Sequence, residues 1–407
     1  MSWSESGSRG HGARRVGALV VAVLAGLALL VGCAAPAGPA GTGGAGGGTG
    51  PASGVEAAPI AVAYEPGVNA ADVSPAAPVA ASVPDGSLRD VTLTGDEGPV
   101  PGAVSPDGKR WAVTAPLAYD STYTWSGTVT APDGRTSPLG GTFRTLKPEQ
   151  QVRGTLNIGD GRAVGVAAPI EIQFDAPVQD KAAVERALSV TTSTPVEGSW
   201  GWLPDQDGGS RVHWRPKEYW PSGTKVDVAA NLLGVNVGGG AYGKANLTTS
   251  FSIGRSQIVK ADTQSFRMVV IRDGKQVMDV PASYGLGSDP QRNTRSGVHV
   301  VTEKFTDKRM TSQQYGYDVM EKWAVRMSNN GEFIHANPAS SGAQGSDNVT
   351  HGCVNLSTTD AKAYYDTALY GDPVEVTGSG VNLSARDGDI YDWALPYTEW
   401  KTYSALM

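Results

Sequence analysis

The chain has 407 residues and a formal charge of −7. A nucleic-acid-binding protein would carry a basic face, so an acidic chain sets that class aside. With 53 Gly, 26 Pro and only 18% charged residues, loop-rich β domains are favoured over helical bundles.

Arg9, His11, Arg14 and Arg15 precede an apolar run from Val16 to Val31. That is the pattern of an export signal over residues 1–32. The run is short for a membrane span and small residues follow it at once. Leu30-Val31-Gly32-Cys33 resembles the bacterial lipobox, in which cleavage leaves an N-terminal, lipid-modified Cys. The resemblance implies an exported protein, lipid-anchored to the cell membrane at Cys33 and facing the periplasm and cell wall. A plain secretory signal or an uncleaved anchor is the alternative. Residues 33–54 are an uncharged Gly/Ala/Pro-rich stretch, suited to a flexible linker and not to a core.

From 55 to 254 short β-type runs alternate with Pro, Gly and Asp turns. Strands are expected at Ile60–Tyr64, Leu88–Leu93, Trp111–Thr114 and Tyr123–Thr130, with a turn at Asp133-Gly134. A second series follows at Ile170–Phe174, Arg211–Trp214, Lys225–Ala229 and Thr249–Ile253. Trp111 and Trp214 hold matching places in the two series, as do Phe143 and Phe251. The halves, 55–147 and 148–254, each have the length of an immunoglobulin-like β-sandwich. Both Trp residues are expected in cores. Ser222-Gly223-Thr224-Lys225 matches Ser-x-x-Lys only formally, in a turn and without the accompanying motifs.

A β-rich domain with one or two helices is expected over 255–378. Phe266–Arg272, Asp273-Gly274 and Lys275–Val280 read as a two-residue-turn hairpin. Val298–Thr302 is a strand, and 303–332 is polar and contains Tyr315-Gly316-Tyr317. Asn330-Gly331 is a turn into the apolar run Phe333-Ile334-His335-Ala336. Ser357 is an N-cap for a helix over 358–370, with Gly371 as its C-cap and Ala361, Tyr364, Tyr365 and Ala368 on one face. Pro373–Val376 is a closing strand. The aromatic extension 379–407 is expected to pack on this domain.

The chemistry concentrates in Thr350-His351-Gly352-Cys353-Val354-Asn355. The chain has two cysteines and five histidines. In extended backbone His351, Cys353 and Asn355 share a face. The thiolate is the reactive form of Cys, and an imidazole can take its proton and return it to a leaving amine. His335 and His351 are both candidates for that base. The N–H groups of Gly352 and Cys353 could meet an oxyanion, roughly 3–4 kcal/mol per donor in well-studied enzymes. The alternative is that Cys353 is a small buried hydrophobe and the histidines are ordinary.

Ile334-His335, a loop, and Thr350-His351-Gly352-Cys353-Val354-Asn355 resemble the signature of the L,D-transpeptidases. These are peptidoglycan cross-linking enzymes with a cysteine nucleophile. Fifteen residues separate His335 from His351. The motif covers roughly 255–407, and the domain order is similar to that of mycobacterial members. The resemblance implies two Ig-like spacer domains ahead of the catalytic one, and no cofactor. It implies Cys353 as nucleophile and His335 as base and acid, its ring oriented by a carbonyl near Ala336. It places Tyr317 at the oxyanion pocket and substrate site, with Tyr315 as rival. It gives His351 and Gly352 motif roles, and Asn330, Gly331 and Asn355 substrate contacts. Implied partners are a tetrapeptide stem donor, the diamino-acid amine of a neighbouring stem, and carbapenem-type β-lactams as covalent inhibitors. The expected reaction is a 3→3 cross-link with release of D-Ala. An L,D-carboxypeptidase on the same fold, or a non-catalytic wall-binding lipoprotein, are the rival readings. A zinc site at His335, His351 and Cys353 lacks the usual ligand spacings. A serine hydrolase lacks Gly-x-Ser-x-Gly.

Overall fold

The computed structural model describes residues 60–384 and 392–407. The export signal, the Cys33 lipidation site, the linker and Tyr391 lie outside the described residues. The described chain is mainly β.

Residues 63–144 form a sandwich of two sheets around Trp111, Trp125, Tyr123 and Phe143. Residues 150–253 form a second sandwich around Phe174, Trp202, Trp214 and Trp220. The alternation of apolar residues along each strand is what closes them. Ile170–Phe174, for example, buries Ile170, Ile172 and Phe174 on one face. The halves repeat one packing detail. Gly102 pairs with Val113, two residues beyond Trp111, and Gly198 pairs with Pro216, two residues beyond Trp214. In each case a Cβ on the glycine would lie 2.0 Å from the indole. Each Trp therefore lies flat across a bare patch of its neighbouring strand. A short helix, Lys181–Arg186, also occurs in the second sandwich, capped by the Asp180 carboxylate. The β-type pattern gave no sign of it.

The third domain has nine strands and one main helix. Its strands are β1 (Gln257–Asp262), β2 (Arg267–Arg272), β3 (Lys275–Pro281), β4 (Gly297–Val300), β5 (Glu303–Ser312), β6 (Tyr317–Arg326), β7 (Phe333–Ala336) and β8 (Val354–Leu356), followed by α1 (Thr358–Thr367) and β9 (Pro373–Thr377). One sheet runs β3-β2-β1-β9-β4 and the other β5-β6-β7-β8. Their shared core holds Val259, Met268, Ile334, Val354, Leu356 and Tyr364. Asp273 and Gly274 both have positive φ, 50° and 77°, in the turn joining β2 to β3. That is the backbone twist a two-residue hairpin needs.

One expectation about this region is corrected. The helix ends at Thr367, three residues early, and Gly371 is not its cap. Ala368 turns extended, with ψ 136°, which keeps its methyl buried. The buried Asp372 carboxylate accepts the Leu369 N–H at 2.9 Å, and Arg255 donates to the Thr367 carbonyl. These contacts satisfy the last turn without a glycine. The polar stretch 303–332, for which no strands were expected, is largely a long hairpin of β5 with β6.

The extension divides between two domains: 379–383 pairs with Ser296 on the catalytic domain, as expected, whereas the aromatic segment from Trp393 onward packs mainly on the second sandwich. Trp400 donates to the Ser199 carbonyl and packs on Leu203. Trp393 donates to the Ala167 carbonyl. The Arg215 guanidinium lies over Trp393, Tyr397 and Trp400. The tail's three rings supply the aromatic surface over which this largely buried cation lies.

Gly198→Ala forces a methyl into the buried Trp214 ring and is expected to destabilise the second sandwich by about 1–3 kcal/mol. Gly140→Ala, which meets open space, is expected to change stability by less than about 0.5 kcal/mol. Thermal unfolding of the two variants checks this, and equal losses would contradict it.

Candidate active site

The site is built by the parallel pairing of β7 and β8, which sets His335 opposite Asn355. Cys353 immediately precedes β8. It is a free, half-buried thiol. His335 is 3% exposed. Its Nδ1–H donates to the Ala336 carbonyl at 2.9 Å, which leaves Nε2 for the thiol. The Cys353 thiol also points at the Gly331 carbonyl, 3.7 Å away.

The two side chains form an interacting acid–base pair. Burial pushes the His335 imidazole down, but the hydrogen bond with Cys353 and the nearby charges of Cys353 and Glu321 outweigh it and push it up to about 10. His351 moves the other way. Burial and the Arg292 cation both lower it. The two candidate bases are thus told apart by surroundings. One is a buried imidazole beside the thiol and a carboxylate, and the other is an exposed ring beside an arginine.

The motif loop is held from behind by 292–294. Thr294 Oγ1 donates to the Gly352 carbonyl at 2.8 Å and accepts the Gly285 N–H at 2.9 Å. Arg292 donates to the Thr350 carbonyl at 3.1 Å and to the Val349 carbonyl at 2.6 Å. Thr350 Oγ1 donates to the Cys353 carbonyl at 2.7 Å and accepts the Gly352 N–H at 3.2 Å. This last bond corrects the expected role of Gly352. Its N–H faces Thr350 Oγ1 and not the cavity-side position expected of it. Glycine is required here by φ 112°, since a Cβ would meet only ordinary contacts.

A cavity of about 350 Å³ opens over the pair. Tyr317, Val319 and Glu321 line it from alternate positions of β6, as strand geometry dictates. Asn337, Ser340, His351 and Asn355 line it from the other side. Asn355 Nδ2 donates to Ser340 Oγ at 3.2 Å, and its buried Oδ1 has no protein partner. Of the two flap tyrosines, Tyr317 lines the cavity, and burial with the Cys353 charge pushes its hydroxyl up. Tyr315 packs against the His351 ring, centroids 4.4 Å apart and planes tilted by 44°, and does not line the cavity. Gly331 lies beside the thiol, whereas Asn330 is an exposed turn residue outside the cavity lining. Glu321 escaped the sequence reading. A period-2 count from Tyr317 would have found it had β6 been recognised. Among the described residues no group of three or more His, Cys, Asp or Glu side chains could hold a metal ion.

Comparison with known proteins gives the same picture at family level. A bacterial Ig domain family matches residues 70–236 and an L,D-transpeptidase catalytic domain family matches 256–376. The chain is 53% identical over 345 residues to L,D-transpeptidase 5 of Mycobacterium tuberculosis, covering 84% of this chain and 76% of the relative. It is 38% identical to L,D-transpeptidase 2 of the same species, covering 81% of each. A solved structure of M. tuberculosis L,D-transpeptidase 3 with a faropenem-derived adduct aligns at 28% identity and TM-score 0.45, over 55% of this chain and 97% of that one.

The raised His335 sets a pH window. Stability contributed by its charged form is complete below the free-imidazole value of 6.5 and is lost as pH rises through about 10. Wild type and His335→Gln, melted across that range, are expected to converge as pH rises. A widening gap would contradict the assignment.

Proposed function

We propose that this chain, which belongs to the L,D-transpeptidase family, makes 3→3 peptidoglycan cross-links through a thioester on Cys353. The observation that supports this reading best is the Cys353–His335 pair at the floor of an open cavity. The donor is a tetrapeptide stem. The Cys353 sulfur attacks the carbonyl of its third residue, a diamino acid. The negative charge that develops on oxygen is met by the Cys353 N–H and, from the flap, the Tyr317 hydroxyl. The carbon–nitrogen bond then breaks, and the His335 imidazolium gives its Nε2 proton to the departing D-Ala amine. A thioester remains.

The side-chain amine of a second stem enters the cavity next. It attacks the thioester carbonyl, His335 takes back a proton, and the Cys353 thiolate leaves. The product amide joins two third residues. Asn355 Oδ1, buried and without a protein partner, is placed to accept a donor-stem N–H. A carbapenem would meet the same thiol and form a thioester, with no amine released.

The test is product analysis by mass spectrometry with a purified disaccharide-tetrapeptide. The wild type is expected to yield a dimer lighter by one D-Ala, and Cys353→Ala none. Pretreatment with a carbapenem is expected to abolish the dimer. Tripeptide monomer without dimer would assign the chain to carboxypeptidase action instead. Unchanged substrate with wild type would contradict both.

A further inference from the structure

The reaction above uses Cys353 and His335 and leaves one charged side chain of the cavity without a role. Among the described residues Glu321 is the one carboxylate that lines the cavity, and no Lys or Arg lines it. It projects from β6 on the same face as Tyr317 and Val319, and its side chain is only 14% exposed. Its Oε2 lies 3.6 Å from His335 Nδ1. That is an ion-pair distance, longer than a hydrogen bond. The Nδ1–H itself is held by the Ala336 carbonyl. Glu321 therefore acts on the ring through charge, not by fixing the tautomer.

The geometry points to Glu321 as a positioning residue that keeps His335 in the imidazolium form opposite Cys353. The proposal rests on the transpeptidase reading for its consequence but not for its test. The titratable groups that line the cavity with the ring are Glu321 and Tyr317 from β6, and Cys353 and His351 from the motif loop. Of these, Cys353 and Glu321 favour the charged ring. During thioester formation Cys353 ceases to be an anion, and its support for the imidazolium is lost. Glu321 remains. The incoming amine, an ammonium near neutral pH, gives its first proton to solvent before it attacks, and Glu321 would then keep the neutral His335 basic enough to take the second as the amide forms. The bonds made and broken are those already described, and the proton taken by His335 restores the imidazolium.

Proton NMR of the histidine rings in full-length protein tests this without any substrate. The His335 signal is assigned by its loss in His335→Gln. Glu321→Gln is expected to lower the His335 midpoint by about one pH unit or more, as loss of a nearby opposite charge does. Glu321→Asp, which keeps the charge, is expected to hold most of the shift. The basic limb of Cys353 acylation is expected to move down with the midpoint in Glu321→Gln. An unchanged midpoint in Glu321→Gln would overturn the proposal even if cross-linking stands. Equal shifts in the Gln and Asp variants would also overturn it, because they would show a packing effect. A wild type that makes no cross-link while the midpoint moves as expected would refute the transpeptidase reading and leave this one intact.

Discussion

The catalytic end of the molecule depends on a contact three residues long. Ile334 pairs with Val354, His335 with Asn355 and Ala336 with Leu356. A parallel pair cannot be closed by a tight turn, so a crossover must separate the partners. Here the crossover carries the Pro338–Ser340 turn and ends in the motif loop, with Cys353 at the point where the chain re-enters the sheet. On its other edge β8 is pinned by Ser283, which exchanges both backbone hydrogen bonds with Asn355. Behind lies α1, whose Ala361 and Tyr364 join Val354 and Leu356 in one core. The strand that follows Cys353 is thus fixed on three sides. Its three side chains are all buried.

The second sandwich is joined to this framework by backbone, not only by side chains. The Gly165 N–H donates to the Tyr370 carbonyl at 2.7 Å and the Ala167 N–H to the Gly371 carbonyl at 2.8 Å. Tyr219 donates to Glu375 on β9 at 3.0 Å. Arg255, at the junction, forms a two-point pair with the fully buried Asp372. A buried pair of this kind is costly to break, because either partner alone is an uncompensated charge. The aromatic tail adds a strap across the second sandwich. The first sandwich is tied to the second more sparely, with the Tyr119 hydroxyl bridging the Gly243 carbonyl and the Gly234 N–H.

Features with a local physical cause were legible in the sequence. Asp-Gly between two apolar runs dictates its own turn, and Ser357 ahead of Asp360 dictates a helix start. Both are present. The strands around Trp111 and Trp214 follow from alternation. The β5–β6 hairpin did not show, because most of its length is exposed and charged and only its base, Ala324 and Val325, is buried. Arg309 pairs with Asp318, Lys322 with Asp307 and Arg326 with Glu303. Such strands have no apolar period to read. Glu321 was hidden with them, one more charge in a charged run until register turns it inward. Gly352 shows a different limit. Its place in the motif is plain, but whether its N–H faces substrate or Thr350 is decided by a loop held from 292–294, more than fifty residues away in sequence. The tail's partner was equally out of reach, since Trp400 meets Ser199 across a separation of 201 residues.

The central claim is that acyl transfer passes through sulfur at position 353. The most direct measurement is the intact mass of the protein quenched in acid after brief exposure to a tetrapeptide donor whose side-chain amine is blocked. With no competent acceptor, the account predicts an adduct equal to the donor less D-Ala, mapped by peptide digestion to Cys353 and reversed by hydroxylamine. An unmodified Cys353 after the donor has lost its D-Ala would contradict it.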